Sequence, residues 1–275
     1  MEETMKRIGI SLLCLIMAAG AVFAGGKKDA APAGDTSLEN ILNKKRFVLG
    51  LDDSFPPMGF RDENNQIVGY DIDLAKEVAS RLGVTLVTQP IDWNAKEQEL
   101  ATGEIDCIWN GFTITEERKQ VLTYIGPYLK NAQVVIVKSA SPVNTLSDLQ
   151  GKIAGLQAGS SSVDALDEAP AFKASLKEVI EYKDYLTALM DLDVGGADAI
   201  IIDLVVANDN IQRSGKSFRI LEETLGAEEF GIGFRKNDHA LSNKVWETLE
   251  AMAKDGTVAK ITAKWFGSDI SIIGK

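Results

Sequence analysis

Three short stretches of the sequence carry side chains able to hold a small charged molecule. In "GEIDCIWNGFTITEERK" (103–119) an apolar run from Ile105 to Trp109, broken only by Asp106, opens into Asn110, Gly111, Phe112 and Thr113, and Arg118 follows five residues later. A planar guanidinium matches the fork of a carboxylate, so the pattern reads as the edge of an anion pocket. The competing reading is a surface cation in the first turn of a helix capped by Thr115. In "DAIIID" (198–203) Asp203 closes an apolar strand, where an unpaired carboxylate is costly. It either caps a helix over 204–215 or binds a cation. In "LQAGSSSVDAL" (156–166) a strand, a glycine and Ser160, Ser161 and Ser162 lead into a helix, which makes an anion-receiving N-terminus or a plain serine cap. A nucleotide loop is disfavoured, because the second glycine and the Lys-Ser/Thr pair are missing.

The composition narrows the chemistry. The single histidine, His239, lies in the polar "RKNDHALSN", so a histidine metal site or a Ser-His-Asp triad is disfavoured, and no metal or cofactor is expected. Lys6 and Arg7 precede an apolar stretch from Ile8 to Ala19, and Val22-Phe23-Ala24 follows with small residues suited to cleavage. Residues 1–24 therefore read as an export signal, with Met5 an alternative start. Cutting at Cys14 would leave most of the apolar run in place, which argues against a lipid anchor. Without those residues, which hold Glu2, Glu3, Lys6 and Arg7, the formal net charge stays at −11. Nucleic acid is a poor partner for such a chain. Cys107 then stands alone in a strand-like context, which excludes a disulfide framework.

Residues 25–43 read as a flexible tether of small and polar residues. The body then alternates strand patterns at 46–51, 84–89, 105–109, 133–138, 152–157, 178–182, 198–203 and 229–235 with helical patterns at 71–82, 185–194, 204–215 and 240–256. That alternation predicts an α/β architecture with mostly parallel sheets. "LATGEIDCIWNG" and "LDVGGADAIIIDL" echo one another: a helix end, a glycine, an aspartate and an apolar strand. Ligands of open α/β sheets sit outside the carboxyl ends of strands, so two such ends predict two lobes facing one another.

One further stretch carries a resemblance. "GYDIDLAKEVASRLG" (69–83) places Tyr70, Ile72, Leu74, Val78, Ala79 and Leu82 on one side of a helix, with Asp71 or Asp73 at its start. A buried amphipathic helix explains the run by itself. The run also resembles the signature of the family 3 extracellular solute-binding proteins, the polar-amino-acid receptors of ABC importers, and the likeness spans about Lys44 to Phe266. It implies a type II periplasmic-binding-protein fold with two crossings between lobes: lobe 1 from 44–131 and 230–275, lobe 2 from 132–229. The hinges would lie near "LKNAQ" and "LGAEEF", and the chain would act as an exported, periplasmic monomer.

The resemblance also implies roles. "TITEER" (113–118) matches the family's segment whose arginine pairs with the ligand α-carboxylate, which gives Arg118 that role and Thr113 a supporting donor. Asn110 and Gly111, where the family more often has Ser or Thr, would offer acceptors to the ammonium beside Phe112, and Asp203 would bind it from the other lobe. Ser160, Ser161 or Ser162 would complete the carboxylate clamp, with Gln157 on the wall. Asp52 and Phe55 fall where the family has a polar side-chain contact and an aromatic lid, and Trp93 where it has an apolar wall. Asp52 leaves Arg, Lys, His and Gln all open as ligands. The partners implied are a free L-amino acid and a membrane permease. The rival is a periplasmic enzyme on the same scaffold, a prephenate or arogenate dehydratase with Asp52 as general acid; no poised pair of carboxylates supports it. Because no helix follows "WFGSDISIIGK", a sensory domain of a larger receptor is not expected.

Overall fold

The computed structural model describes residues 34–275. The expectations for the export signal, for Cys14 and for the tether up to residue 33 lie outside the described residues. Ser37–Lys44, which overlaps the end of the expected tether, is helical. Ile41 drives this, buried at 1% exposure, and the Ser37 hydroxyl accepts the Leu241 amide at 3.0 Å, tying the segment to the helix His239–Lys254.

Eleven strands form among the described residues: β1 (Arg46–Leu51), β2 (Ser54–Phe55), β3 (Gly59–Arg61), β4 (Ile67–Val68), β5 (Thr85–Pro90), β6 (Cys107–Thr113), β7 (Leu122–Lys138), β8 (Ile153–Gln157), β9 (Glu178–Tyr182), β10 (Ala199–Asp203) and β11 (Phe218–Arg235). Eight of them share one sheet in the order β5-β1-β6-β11-β7-β10-β8-β9, while β2, β3 and β4 make a small separate sheet. The outer pairings β1–β5, β1–β6, β10–β8 and β8–β9 are parallel, as the alternating pattern predicts. The centre is antiparallel, because β7 and β11 pair along their length from Phe218↔Lys138 to Arg235↔Leu122.

These two long strands position the site. Along β11, the carboxyl end of β6 is reached at Phe230↔Thr113. The carboxyl end of β10 pairs with β7 at Asp203↔Gln133, and Gln133 in turn pairs with Gly226 of β11. The two ends therefore face each other across about four residues of strand, roughly 13 Å. Asp52 and Gln157, which follow or end the neighbouring parallel strands β1 and β8, are brought to the same level.

Helix Tyr70–Leu82 matches its periodicity, burying Tyr70, Ile72, Leu74, Ala75, Val78 and Ala79. Asp71 stands at the helix start, as the sequence suggests, but its side chain points inward. It is fully buried and accepts hydrogen bonds from the Gly111 amide at 2.8 Å and the Tyr128 hydroxyl at 2.9 Å. Gly69 enters this helix at φ 149°, and a Cβ there would lie 2.1 Å from the Met58 carbonyl oxygen, so only glycine fits.

Candidate ligand-binding site

The expected opening after Trp109 is a continuation of the strand. All seven residues of β6, Cys107 to Thr113, are buried, with Gly111 at φ 58°. The adjacent helix Glu116–Val121 begins as the sequence suggests: Thr115 caps it by accepting the Arg118 amide at 3.2 Å. Capping does not remove Arg118 from the interior. Its Nη1 donates to the Thr113 carbonyl at 3.0 Å and its Nη2 to the Gly159 carbonyl at 3.3 Å, while the guanidinium lies 4.7 Å from the centre of the Phe112 ring. Glu97 and Asp164 approach it only to 3.9 and 4.0 Å. The surface-cation and pocket readings of Arg118 thus describe its main chain and its side chain respectively.

Phe55, Trp93, Gly111, Thr113, Arg118, Gln157, Ser160, Ser161 and Asp203 enclose a single cavity of about 10 Å³. Every one of these residues was singled out from the sequence. They come from the facing ends of the shorter strands: Thr113 from the end of β6, Gln157 and Asp203 from the ends of β8 and β10. The Thr113 and Ser161 hydroxyls meet at 3.0 Å, closing the wall between the two parts.

Four residues expected at the site lie behind or beside this cavity. Asn110 is buried with its Oδ1 accepting the Asp52 amide at 3.0 Å, and its Nδ2 packs where a Cβ on Gly59 would stand 2.6 Å away. Its side chain is thereby turned from the cavity, because consecutive residues of a strand face opposite sides. Phe112 also faces away, edge-on to Trp93 and stacked on Tyr124, and it supports Arg118. Ser162 donates to Gln133 Oε1 at 2.5 Å and bonds the Tyr185 hydroxyl at 2.7 Å. Asp52 accepts from Gln157 Nε2 at 2.7 Å and from the Ser54 amide and hydroxyl. It faces a neighbouring cavity of about 360 Å³ that shares Trp93 as a wall. Burial raises the Asp52 carboxyl, with Ser54 and Gln157 opposing the shift.

Residues not anticipated from the sequence complete the surroundings. Lys96, 3% exposed, donates to the carbonyls of Trp93 and Gly159 at 3.1 and 2.8 Å. Burial, and then the nearby Arg118 charge, lower its amine to about 8. Asn131, Gln133 and Glu228 form a polar cluster around Asp203: Asn131 Nδ2 lies 2.6 Å from Asp203 Oδ1, and Gln133 Nε2 lies 3.1 Å from it. Asp203 is buried, and its carboxyl is pushed well above the usual range by that burial and by the charge of Glu228. Just outside the cavity, Glu116, Glu117, Asp164, Asp167 and Glu168 line an open groove of about 490 Å³ together with Glu228.

The wall thus offers one guanidinium and one carboxylate to the same small volume, with hydroxyls between them. Such an arrangement pairs both charges of a zwitterion. Among the described residues the Ser160 and Ser161 hydroxyls bond no histidine, lysine or carboxylate. Among the described residues no group of three or more metal-ligating side chains occurs, and no helix is long and apolar enough to cross a membrane.

The chain resembles known proteins along most of its length. The chain is 28% identical over 269 residues to the L-cystine-binding protein TcyJ of Escherichia coli K12, covering 97% of this chain and 99% of the relative. It is 29% identical over 227 residues to ABC transporter arginine-binding protein 1 of the same organism, covering 81% and 91%. A solved ABC uptake transporter substrate-binding protein from Streptococcus pneumoniae with bound histidine superposes with a TM-score of 0.85 at 36% identity, covering 88% of this chain and all of the other. Residues 47–268 match a single family over most of the chain, which belongs to the bacterial extracellular solute-binding proteins, family 3.

Proposed function

We propose that the protein is the substrate-binding receptor of an ABC amino-acid importer and captures a free L-amino acid between two lobes. The observation that carries this reading is the placement of Arg118 and Asp203 on one cavity, from the facing ends of two parallel strand sets. Arg118 and Thr113 take the α-carboxylate, Ser160 and Ser161 support it, and Asp203 takes the ammonium. Phe55 and Trp93 cover the side chain, and Gln157 and Asp52 reach its end.

The lobes are 44–131 with 230–275, and 132–229, hinged where Leu129–Gln133 of β7 passes beside Leu225–Phe230 of β11. A cavity of about 10 Å³ has room for about one water molecule, so the ligand enters when the lobes swing apart and is enclosed when they return. A cationic or polar side chain is favoured by the buried Asp52 carboxylate and by the acidic groove outside the cavity. The cystine, arginine and histidine named for the relatives and the solved structure fall in the same range. The receptor works as a monomer outside the cytoplasmic membrane, and its closed form docks on a membrane permease.

The protein binds without turning its ligand over. Asp52, the nearest candidate for a general acid, is occupied by Ser54 and Gln157. Incubation with prephenate or arogenate, followed by mass spectrometry, is expected to return both unchanged. Calorimetry of the mature protein against the standard amino acids is expected to find one-to-one binding of at least one cationic or polar member; no heat with any of them overturns the receptor reading.

A further inference from the structure

Asp203 does not act alone. Its Oδ1 accepts from Asn131 Nδ2 at 2.6 Å and Gln133 Nε2 at 3.1 Å; Glu228 Oε1 accepts from the same two nitrogens at 2.5 and 2.9 Å, and from the Thr113 hydroxyl at 3.1 Å. Two oxygens bound to one nitrogen are no more than about 5 Å apart, a spacing at which like charges repel, and the more so here because Asp203 is buried and Glu228 half-buried. Neither carboxylate has a salt bridge to a lysine, arginine or histidine among the described residues.

The surroundings add no compensating cation in contact. From the helix Tyr185–Val194 the facing titratable group is Tyr185, a phenol whose pKa burial pushes up; from β6 and the helix Ser161–Asp167 come the neutral Thr113 and Ser161. Arg118 shares the cavity but donates to the Thr113 and Gly159 carbonyls. On the outer side Glu228 faces the carboxylates of Glu116, Glu117, Asp164, Asp167 and Glu168 across the groove. The amides are also oversubscribed: Gln133 Nε2, with two hydrogens, has Ser161, Asp203 and Glu228 as acceptors.

We propose that Asp203 and Glu228 form one two-carboxylate receptor for the ligand's primary ammonium, sharing a proton without ligand and releasing it to solvent when the ammonium takes its place. The charge balances: a singly negative pair plus an ammonium becomes a doubly negative pair with its ammonium, and one proton leaves. The inference rests on the amino-acid reading above and deepens it, since nothing in the family match assigns Glu228. Glu228 and Asn131 are register partners on β11 and β7, so the ammonium contacts reach both crossing strands at the middle of their run. Affinity for an amino acid then falls with acidity, by up to about tenfold per pH unit below the pair's titration.

The test uses the mature protein with L-arginine as probe, titrated calorimetrically in two buffers of different ionisation enthalpy. The wild type is expected to release up to one proton per L-arginine bound near neutral pH. Glu228→Gln is expected to release none and to bind about tenfold or more weakly. Proton-neutral binding by the wild type, or Glu228→Gln affinity within twofold, overturns the shared-proton receptor while leaving the receptor function standing. Infrared spectra of the unliganded protein decide the point independently of any ligand. The carbonyl stretch of a protonated carboxyl is expected at neutral pH, diminished in both Glu228→Gln and Asp203→Asn; a spectrum unchanged in both overturns the pair even if L-arginine fails to bind. Should either variant fail to fold by circular dichroism, the wild-type proton count and its band against pH carry the test.

Discussion

The ammonium of Lys96 and the carbonyl of Gly159 meet at 2.8 Å, joining the start of the helix Lys96–Thr102 to the turn after β8. Lys96 is otherwise wrapped by the Trp93 carbonyl and ring, with Glu97 at 3.3 Å as its only ion pair among the described residues. Its amine falls to about 8 from 10.5, a penalty of about 3 kcal/mol on the ammonium relative to the unfolded chain.

The sign of the pH effect follows. Between pH 8 and 10.5 the unfolded chain holds a proton on Lys96 that the folded chain has shed, so folding is favoured progressively as pH rises through that window. Lys96→Met lacks this slope. Urea unfolding of the two proteins is expected to shift in favour of the wild type by up to about 3 kcal/mol across the window; parallel curves contradict the assignment. Small-angle scattering of the unliganded variant at neutral pH is expected to show a larger radius, because the contact to Gly159 is gone.

Gly159 makes the second prediction. It sits at φ 67°, and a Cβ would stand 2.9 Å from Asn94 Oδ1 and 3.1 Å from Asn94 Cα. Gly159→Ala therefore carries backbone strain of about 1–2 kcal/mol. A further penalty falls only where Asn94 is close, in the closed arrangement. The expected outcome is a modest drop in the melting temperature of the unliganded protein and a larger drop in the stabilisation a ligand confers. Equal drops would mean that Asn94 and Gly159 do not meet on closure.

Arg118 is the residue whose loss is expected to abolish binding. Truncating one member of a desolvated, hydrogen-bonded charge pair costs about 2–5 kcal/mol, so Arg118→Ala should weaken the ligand at least about thirtyfold by calorimetry. Arg118→Lys is not conservative here. An ammonium has no planar fork, and it cannot reproduce together the bonds to Thr113 and Gly159 and the stacking on Phe112. Retention of affinity within threefold in Arg118→Ala removes it from the carboxylate role.

Much of this site was legible because its residues stand at strand ends with a sharp change of polarity. Thr113, Gln157 and Asp203 each close an apolar run, and Arg118 follows at a fixed step. Glu228 was not legible: in "TLGAEEFGIGF" two acids precede a strand and look like solvated surface. Its half-buried place beside Asp203 depends on β11 extending back to Phe218 against β7, a pairing between residues about ninety apart that no local period records. Lys96 was hidden in the same way, in a helix start that reads as charged and exposed. Asn110 misled in the other direction. Its polarity suggests an opening, whereas the strand runs on and the amide binds the Asp52 main chain.

Asp71 gives the last prediction, and it tests how the floor of the site is held. One carboxylate oxygen receives the Gly111 amide and the Tyr128 hydroxyl, while the other is buried with no hydrogen-bond partner. Burial raises the carboxyl to about 7 from 3.8, against the lowering effect of Gly111, Tyr128 and the nearby Trp109 indole. The folded protein then holds a proton on Asp71 that the unfolded chain releases. This contribution to stability is complete below pH 3.8 and is lost as pH rises through about 7, by about 4 kcal/mol in all. Asp71→Asn keeps an acceptor for Gly111 and carries no titrating proton. Its unfolding free energy is expected to stay level from pH 5 to 8, while that of the wild type declines. Ligand affinity should change little, because Gly111 keeps its anchor. A wild-type curve as flat as that of the variant would mean that Asp71 is ionised in the core and that Tyr128 and Gly111 suffice to hold its charge.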